Sequence, residues 1–232
     1  MSHAEQHFVV AIDGPAASGK SSTAKRVAER LGVHHADSGA LYRAVTAARL
    51  RQAGSTDHWS VESVMHSAPR VTLHREGTSF AVNLDGKPVG AELHEAAVTA
   101  LVSVVAKMQP VREWVNEQMR SCARGGAIVV DGRDMGTAVF PDAQLKIFLI
   151  ANVRERARRR LLQRLGRAPM EDEISSEAEA LRQRDEKDAA QTQQALDAVV
   201  IDTTHLTQAE QVERIVELAL VARGSGEFRG EK

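Results

Sequence analysis

Residues 8–32 read FVVAIDGPAASGKSSTAKRVAERLG, and this stretch decides the fold. The run 8–13 is short, apolar and followed by Gly14, which is typical of a buried strand. Apolar side chains then recur at helical spacing over Lys20–Leu31, and Gly32 is a typical helix stop. The sequence therefore predicts a strand, a glycine-rich loop and a helix in direct succession.

The loop at 14–21 reads GPAASGKS and fits the pattern G-x-x-x-x-G-K-[ST]. Glycines let backbone N–H groups turn inward around a polyphosphate, and the start of the following helix adds favourable partial charge. Lys20 can reach the β- and γ-phosphates of a nucleotide, and the Ser21 hydroxyl can ligate Mg²⁺. The loop therefore predicts binding of a nucleoside triphosphate, but it leaves open what the phosphoryl group is used for.

Three further strand-like runs follow the first, at 127–131, Leu145–Ile150 and 198–202. Helical patterns separate them. This alternation predicts an α/β fold, a P-loop NTPase core whose parallel sheet is covered by helices on both faces.

Residues 70–89, RVTLHREGTSFAVNLDGKPV, break the alternation. Apolar and polar residues alternate within this stretch, and turn signals stand at Glu76-Gly77 and Asp85-Gly86. The pattern predicts an antiparallel hairpin or a three-stranded patch inserted into the α/β chain.

The composition is that of an ordinary globular protein. Of 232 residues, 43% are apolar and 26% are charged, and the formal net charge of -1 provides no overall field for nucleic acid or an anionic membrane. Cys122 is the only cysteine, which excludes an intrachain disulfide and a cysteine-based metal cluster. No apolar run approaches the ~20 residues that cross a bilayer. We expect a cytoplasmic monomer with no nucleic-acid or membrane partner.

This chain lacks the motifs of two other classes of phosphate-loop protein. The sequence has no Asn-Lys-x-Asp element, which a GTPase would use for guanine, and the strand at 127–131 does not end in the adjacent Asp and Glu of an ATPase motor. Arginines at the ends of elements, Arg43, Arg133 and Arg184, favour a kinase with a small phosphorylated acceptor. A guanidinium suits this acceptor because it binds phosphate with two parallel hydrogen bonds.

Over about residues 8–222 the sequence resembles bacterial cytidylate kinases. The resemblance implies transfer of the γ-phosphoryl group of ATP to CMP and dCMP, giving CDP or dCDP and ADP. It also implies an enlarged monophosphate-binding domain, with the antiparallel strands, and a helical lid. The motifs that carry it are IDGPAASGKSS (12–22), DSGALYR (37–43), VREWV (111–115), DGRDMGTAVFPDA (131–143), KIFLIA (146–151) and RDEKD (184–188).

The resemblance divides the chain into three functional parts and a tail that we expect to be disordered. The core ATP-binding domain is assigned to 1–39, 111–152 and 191–223, the monophosphate-binding domain to 40–110, the lid to 153–190 and the tail to 224–232.

The ATP side of the site is implied by the phosphate loop and one lid arginine, and Lys20, Arg133 and Arg184 are expected to act in catalysis. The expected ATP contacts are Gly14, Pro15, Ala16, Ala17, Ser18, Gly19, Lys20, Ser21, Ser22 and Arg159.

On the acceptor side, the resemblance implies that Ser38, Arg112 and Asp134 read cytosine, with Ser103 as a helper. A carboxylate can accept from the exocyclic amine of cytosine while Arg donates to N3 and O2. The structural alternatives are a helix-capping or turn carboxylate for Asp134 and, for Ser103, a hydroxyl satisfied within its own helix. The expected CMP contacts are Ser38, Arg43, Ser103, Arg112, Arg133, Asp134, Arg184 and Asp188.

The expected cofactor is Mg²⁺, bound by Ser21 together with the ATP phosphates. Asp37 and Asp131 either hold this ion through water or have a structural role, and the sequence leaves both alternatives open. The nine histidines have no ligand spacing and are interpreted as residues that bind no metal.

Between Arg154 and Arg167 the chain has seven arginines in fourteen residues, with Glu155 the only acid. By itself this run indicates a solvated face or a nucleic-acid-binding patch, whereas the resemblance implies a lid that closes over ATP. An NTPase that binds nucleic acid is therefore one alternative function, although an aromatic content of 3% provides few stacking platforms. A kinase for UMP or dTMP is another.

The chain departs from the family near the end of the lid. Relatives usually carry an Arg at the position of Gln191, three residues after Asp188, and their connection to the next strand is longer. We expect the closed lid to bind the acceptor through Arg184 and Asp188 without a third cation. The alternative is that Arg182 or Lys187 replaces it.

Overall fold

The structure is a computed structural model that describes residues 8–52 and 59–227, in which strands and helices alternate along most of the chain. The strands are β1 (Val9–Asp13), β2 (His34–Asp37), β3 (Val71–Glu76), β4 (Ser79–Leu84), β5 (Lys87–Pro88), β6 (Ile128–Asp131), β7 (Leu145–Ile150) and β8 (Val199–Asp202). The helices are α1 (Lys20–Leu31), α2 (Ser38–Gln52), α3 (Val61–Met65), α4 (Ala96–Val105), α5 (Gln109–Ala123), α6 (Val153–Leu165), α7 (Glu171–Asp188) and α8 (Gln208–Glu227).

The strands of the described part form one sheet in the order β3-β4-β2-β6-β1-β7-β8, and β5 pairs with β4. The five strands β2, β6, β1, β7 and β8 are parallel to their neighbours. All residues of β1 and β6 are buried, which accounts for their nearly continuous apolar sequence. The α/β class expected from the sequence is confirmed.

The register of the parallel strands brings three carboxylates to one edge of the sheet. Asp131 at the end of β6 pairs with Asp37 at the end of β2 and with Ile12, the neighbour of Asp13 in β1. The carboxyl ends of parallel strands are where α/β sheets place their ligands. A site built around these aspartates is therefore dictated by the register.

The predicted bounds agree closely with the structure for the first helix and for β7. Strands β1, β6 and β8 each begin one residue later than predicted. Strand β2 was not predicted, because a four-residue segment that begins with two histidines has no recognisable apolar pattern.

The antiparallel strands predicted at 70–89 are present, and they continue the core sheet. Strand β3 pairs antiparallel with β4, and β5 returns along β4. Strand β4 then meets β2 in parallel at Ser79 and His35, where the His35 N–H donates to the Thr78 carbonyl (2.8 Å). The inserted hairpin is thus an extension of the sheet edge.

Helices cover the sheet through two large apolar clusters, and a third, small cluster contains no strand residue. The first cluster packs α2, α4 and α5 against one side of the sheet, and the second packs α1 and α8 against the other. The third, here called the lid cluster, joins α6, α7 and the phosphate loop. Its buried members are Ala16, Ala157, Leu161, Ile174, Ala178 and Leu181.

The predicted disordered tail begins too early. Helix α8 continues to Glu227, so the first four residues of the segment 224–232 are helical. The last five, 228–232, lie outside the described residues. In the described part of the chain, no helix is long and apolar enough to span a membrane.

Gly14 joins β1 to the phosphate loop at a point where a side chain has no room. Its φ is +148°, and an added Cβ would lie 2.2 Å from the Leu149 carbonyl oxygen in the neighbouring strand. Gly32 also has a positive φ, +67°, but nothing lies within 4 Å of its added Cβ.

We therefore expect Gly14→Ala to lower the free energy of unfolding by about 3 kcal/mol or more, because strand backbone must move. Gly32→Ala, the matched control, should cost only the left-handed backbone penalty of about 1–2 kcal/mol. Urea denaturation of both variants measures the difference. Equal losses would contradict a steric role for Gly14.

Candidate active site

A cavity of about 1460 Å³ opens at the carboxyl ends of the central strands, between the phosphate loop, α4 and the lid helices. The residues predicted for ATP and CMP binding all line it except Gly14 and Pro15. The structure thus brings together side chains from five separate motifs. Further lining residues include Asp37, Tyr42, His94, Thr99, Gln191 and Gln211.

The phosphate loop is held in shape by its own lysine. Lys20 is buried, and its Nζ donates to the Pro15 carbonyl (2.7 Å) and approaches the Ser18 hydroxyl (3.4 Å). Burial and the nearby Arg133 lower the pKa of Lys20. Both effects would be relieved by a polyanion in the loop, since the charged form of the amine would then have a counterion.

Ser21, Asp37 and Asp131 gather hard oxygen atoms beside the loop. Ser21 Oγ donates to Asp131 Oδ2 (2.6 Å). Burial, and then the charge of Asp131, raises the pKa of Asp37. A cation between these groups would favour their ionised forms.

These oxygens fit Mg²⁺. Among the described residues, no cluster of three or more His, Cys, Asp or Glu side chains could hold a metal ion by itself. Mg²⁺ needs no such cluster, because it usually keeps waters and substrate phosphates among its ligands.

His35 completes the surroundings of Asp131. Its Nε2 lies 2.7 Å from Asp131 Oδ1, so both oxygens of this buried carboxylate have a partner. Burial opposes the charged imidazole, but the hydrogen bond to Asp131 raises the pKa of His35 overall. This contact was not predictable from the sequence, because it joins residues of neighbouring strands that lie 96 positions apart in the chain.

Arg112 and Asp134 form a pair at the far end of the cavity. Arg112 Nη2 donates to Asp134 Oδ2, and Nη1 donates to the Ala106 carbonyl (3.2 Å). Burial raises the pKa of Asp134 against the opposing effect of Arg112. Tyr42 lies close to both, and burial raises its pKa to about 12. A neutral hydroxyl, a carboxylate and a guanidinium therefore face one space.

The two predicted serines occupy the same end. Ser38 is buried and donates through Oγ to the Asp131 carbonyl (2.9 Å), while Ser103 lines the cavity from α4.

Asp13 supports this end from beneath. Its two carboxylate oxygens accept from the N–H groups of Met135 (2.9 Å) and Gly136 (2.8 Å), which open a π-helical turn directly after Asp134. Asp13 is 4% exposed, and burial raises its pKa to about 6. The carboxylate thus ties the last residue of β1 to the turn that orients Asp134.

A group of arginines lies between the two ends. Arg133 Nη1 donates to the Gly14 carbonyl (3.1 Å), and Arg133 and Arg184 each approach Asp188 at 3.6 Å. Arg43 donates to the Leu93 carbonyl (3.0 Å). Burial, followed by the charges of Arg133 and Arg43, lowers the pKa of Arg184 to about 10. Such crowding of cations favours an anionic ligand.

The arginine-rich run is not a free basic face. Arg159, a predicted ATP contact, lines the cavity and donates through Nη2 to the carbonyls of Thr203 (2.7 Å) and Thr204 (3.1 Å). Acidic partners account for the whole run: Arg154 with Glu171, Arg156 with Asp185, Arg158 and Arg159 with Glu155, Arg160 and Arg164 with Glu177, and Arg167 with Glu173.

Sequence comparisons identify the family of the chain. The family model described as cytidylate kinase matches residues 10–220. Proteins named cytidylate kinase from Pelodictyon phaeoclathratiforme and Salinibacter ruber are 41% and 40% identical, over 93% and 94% of this chain and 96% and 100% of their own lengths. A third, from Geobacillus kaustophilus, is 44% identical over 92% of this chain and 97% of its own.

The chain belongs to the cytidylate kinase family. The family expected from the motifs is therefore confirmed, and so is the enzyme class, a nucleoside monophosphate kinase.

Some residues that line the cavity were not predicted from the sequence. The loop after β8 contributes Thr204, His205, Leu206 and Thr207 to the cavity lining. No motif marked it, although its position after a predicted strand was a usable signal.

Asp13 gives a pH-dependent prediction. The native state holds its proton more tightly than the unfolded chain does, since the pKa is about 6 against an ordinary value of 3.8. Stability from this residue therefore falls as pH rises from about 4 to 6, by about 3 kcal/mol. Asn does not titrate, so the parent's stability relative to Asp13→Asn should fall by that amount between pH 4 and 7. Chemical denaturation at both pH values tests this; a difference that is independent of pH would contradict the raised pKa.

Proposed function

We propose that this chain transfers the γ-phosphoryl group of ATP to CMP, and to dCMP, giving CDP or dCDP and ADP. The observation that carries the proposal is a single cavity with the phosphate loop at one end and the Arg112–Asp134 pair at the other. Family membership supports the same reaction.

Cytosine is proposed to bind between Asp134, Arg112 and Ser38, with Ser103 as a helper. The Asp134 carboxylate accepts from the exocyclic amine, and Arg112 donates to the ring acceptors. The prior pairing of these two side chains supports this role, because it holds both in position before the base arrives. Bases with a different donor and acceptor pattern would leave buried groups unpaired, which disfavours them.

The α-phosphate of the acceptor is proposed to bind among Arg43, Arg133 and Arg184, with Asp188 positioning the last two. The lowered pKa values of Arg43 and Arg184, and the crowding of the three cations, support a strongly anionic ligand here. The acceptor is already an oxyanion, so the reaction requires alignment and charge neutralisation and no general base.

ATP is proposed to bind through the loop 14–22, with Lys20 on the β- and γ-phosphates and Arg159 near the nucleotide. Lys20 would exchange its bond with the Pro15 carbonyl for phosphate oxygens. Mg²⁺ would be held by Ser21, with Asp37 and Asp131 behind it, and it would neutralise charge on the phosphates.

The proposal includes the domain roles expected from the sequence. Residues 40–110 act as the monophosphate-binding part, 153–190 act as the lid, and the remaining core binds ATP. The proposal also includes action as a monomer in the cytoplasm; one chain supplies both ends of the cavity, which supports the first part.

The acceptor specificity is tested by a coupled ADP-release assay with CMP, dCMP, UMP, AMP and dTMP. CMP and dCMP are expected to be the preferred acceptors. Preference for UMP or dTMP would replace the proposed substrate, and turnover that requires RNA or DNA would overturn the kinase assignment.

Asp134→Ala should impair the use of CMP much more than the binding of ATP. Losing a charged hydrogen bond and leaving the half-buried Arg112 without its acidic partner should cost about 2–4 kcal/mol, or roughly 30- to 1000-fold in kcat/KM. Asp142→Ala, at an exposed position in the same segment, is the control. If Asp134→Ala instead loses affinity for ATP and keeps the KM for CMP, Asp134 does not read the base.

Gln191 lines the cavity where family members usually carry Arg, whereas neither Arg182 nor Lys187 lines it. We expect Gln191→Arg to lower the KM for CMP modestly, roughly 3- to 10-fold, because a charge-assisted bond is gained at the cost of ordering a long side chain. The kcat should change less. Gln193→Arg adds the same charge outside the cavity and is the control. An unchanged KM would mean that the shortened connection holds position 191 away from the acceptor.

A further inference from the structure

Arg156 differs from the other arginines of its helix because it is buried and bonds to the phosphate loop from a side that does not line the cavity. It is 6% exposed. Its Nη1 donates to the Ala16 carbonyl (2.8 Å), Nη2 to Asp185 Oδ2 (2.7 Å) and Nε to the Ala151 carbonyl (3.1 Å). One buried guanidinium therefore joins the loop, helix α7 and the end of β7.

The bond to Ala16 fixes the orientation of a peptide group. In a planar trans peptide the carbonyl and the following N–H point in opposite directions. Arg156 holds the Ala16 carbonyl on the side away from the cavity, so the N–H of Ala17 is directed toward the cavity. Ala17 has a positive φ of 57°, a conformation that an alanine adopts only when its surroundings impose it.

The bond to Asp185 connects this peptide to the acceptor side. Asp185 lies on α7 directly after Arg184 and one helical turn before Asp188. Ala16 is also a buried member of the lid cluster, together with Leu161 of α6 and Leu181 of α7. The loop and α7 are therefore joined by one charged contact and one apolar contact.

We propose that Arg156 is a positioning residue that orients the Ala16–Ala17 peptide for phosphate binding and, through Asp185, couples the phosphate loop to the helix that carries Arg184 and Asp188. The proposal rests on the proposed ATP and CMP sites. Nucleotide bound in the phosphate loop would then change the affinity of the acceptor site, because the loop and α7 are joined by the Arg156–Asp185 connection.

Only an arginine fits this position. The planar guanidinium spreads its donors over three directions, and here each direction has an acceptor. A lysine ammonium at the same place is a compact charge, and it cannot bond the Ala16 carbonyl, the Ala151 carbonyl and Asp185 with the same geometry.

The experiment measures the Kd of MgADP, and the Kd of CMP with and without saturating MgADP, by calorimetry. The ratio of the two CMP constants is the coupling between the sites. The variants are Arg156→Lys, Asp185→Asn and the double substitution Arg156→Met with Asp185→Leu. Arg158→Lys is the matched control, because Arg158 lies on the same helix with its side chain 63% exposed. Thermal unfolding checks that each variant is folded.

We expect MgADP to tighten CMP binding in the parent roughly 5-fold or more. Arg156→Lys should weaken MgADP binding roughly 10-fold, the loss expected for a charged hydrogen bond, and should abolish the coupling. Asp185→Asn keeps the loop contact, so it should bind MgADP normally and lose the coupling. Arg158→Lys should match the parent. If Arg156→Lys fails to fold, Asp185→Asn alone decides the coupling.

The double variant, with two apolar side chains, distinguishes a positioning role of Arg156 from a purely structural role. Replacing both members of a buried ion pair often preserves stability, so the double variant leaves no unpaired charge and should stay folded. Its Tm should fall only by the loss of the donors to the Ala16 and Ala151 carbonyls, while MgADP binding stays weak. Recovery of MgADP affinity along with Tm would reduce Arg156 to a structural residue and overturn the proposal, as would a parent with no coupling. If the parent binds and phosphorylates CMP and every variant behaves like the parent, this inference is refuted and the proposed function stands. A parent that does not phosphorylate CMP refutes the proposed function.

Discussion

Three consecutive carbonyl groups of the phosphate loop accept hydrogen bonds from three cationic side chains. Arg133 binds the carbonyl of Gly14, Lys20 that of Pro15 and Arg156 that of Ala16. The cations come from the end of β6, the start of α1 and the base of the lid, so the loop is tied to the central sheet, to its own helix and to the lid. Because peptide groups are planar, fixing these oxygens also fixes the N–H groups on the other side. The shape of the phosphate end of the cavity depends on this arrangement.

Charge is the second constraint on the site. Burial lowers the pKa values of Lys20, Arg43 and Arg184 and raises that of Asp37. Each shift reflects an ion that has lost water without gaining a full counterion. Nucleotide phosphates would compensate the cations, and Mg²⁺ would compensate the carboxylate. Binding of the complete set of substrates would remove this unfavourable burial of unpaired charge, and the free energy released would contribute to affinity and specificity.

Local sequence was sufficient for the features that depend on neighbours along the chain. The strand, loop and helix of residues 8–32 follow from apolar spacing and glycines, and the cavity unites the motif residues. Contacts between distant segments were not predictable. Asp13 supports a turn 122 residues away, His35 meets Asp131 across two strands, and nothing in the spacing of the arginines distinguishes Arg156 from its exposed neighbours. Helix α8 reaches into the segment predicted to be disordered, and the apolar face that packs on the sheet, with Ile215 and Val216 buried there, was not recognised from the sequence.

The lid cluster has six buried residues, three of them alanines, and it is separate from the two large clusters on the sheet. A unit with so little apolar contact can open while the sheet stays folded. Amide hydrogens of α6 and α7 should therefore exchange with solvent through local openings, at rates set by the lid itself. The amide hydrogens of α1 and β1, which lie in the two large apolar clusters, should exchange only when the whole protein unfolds.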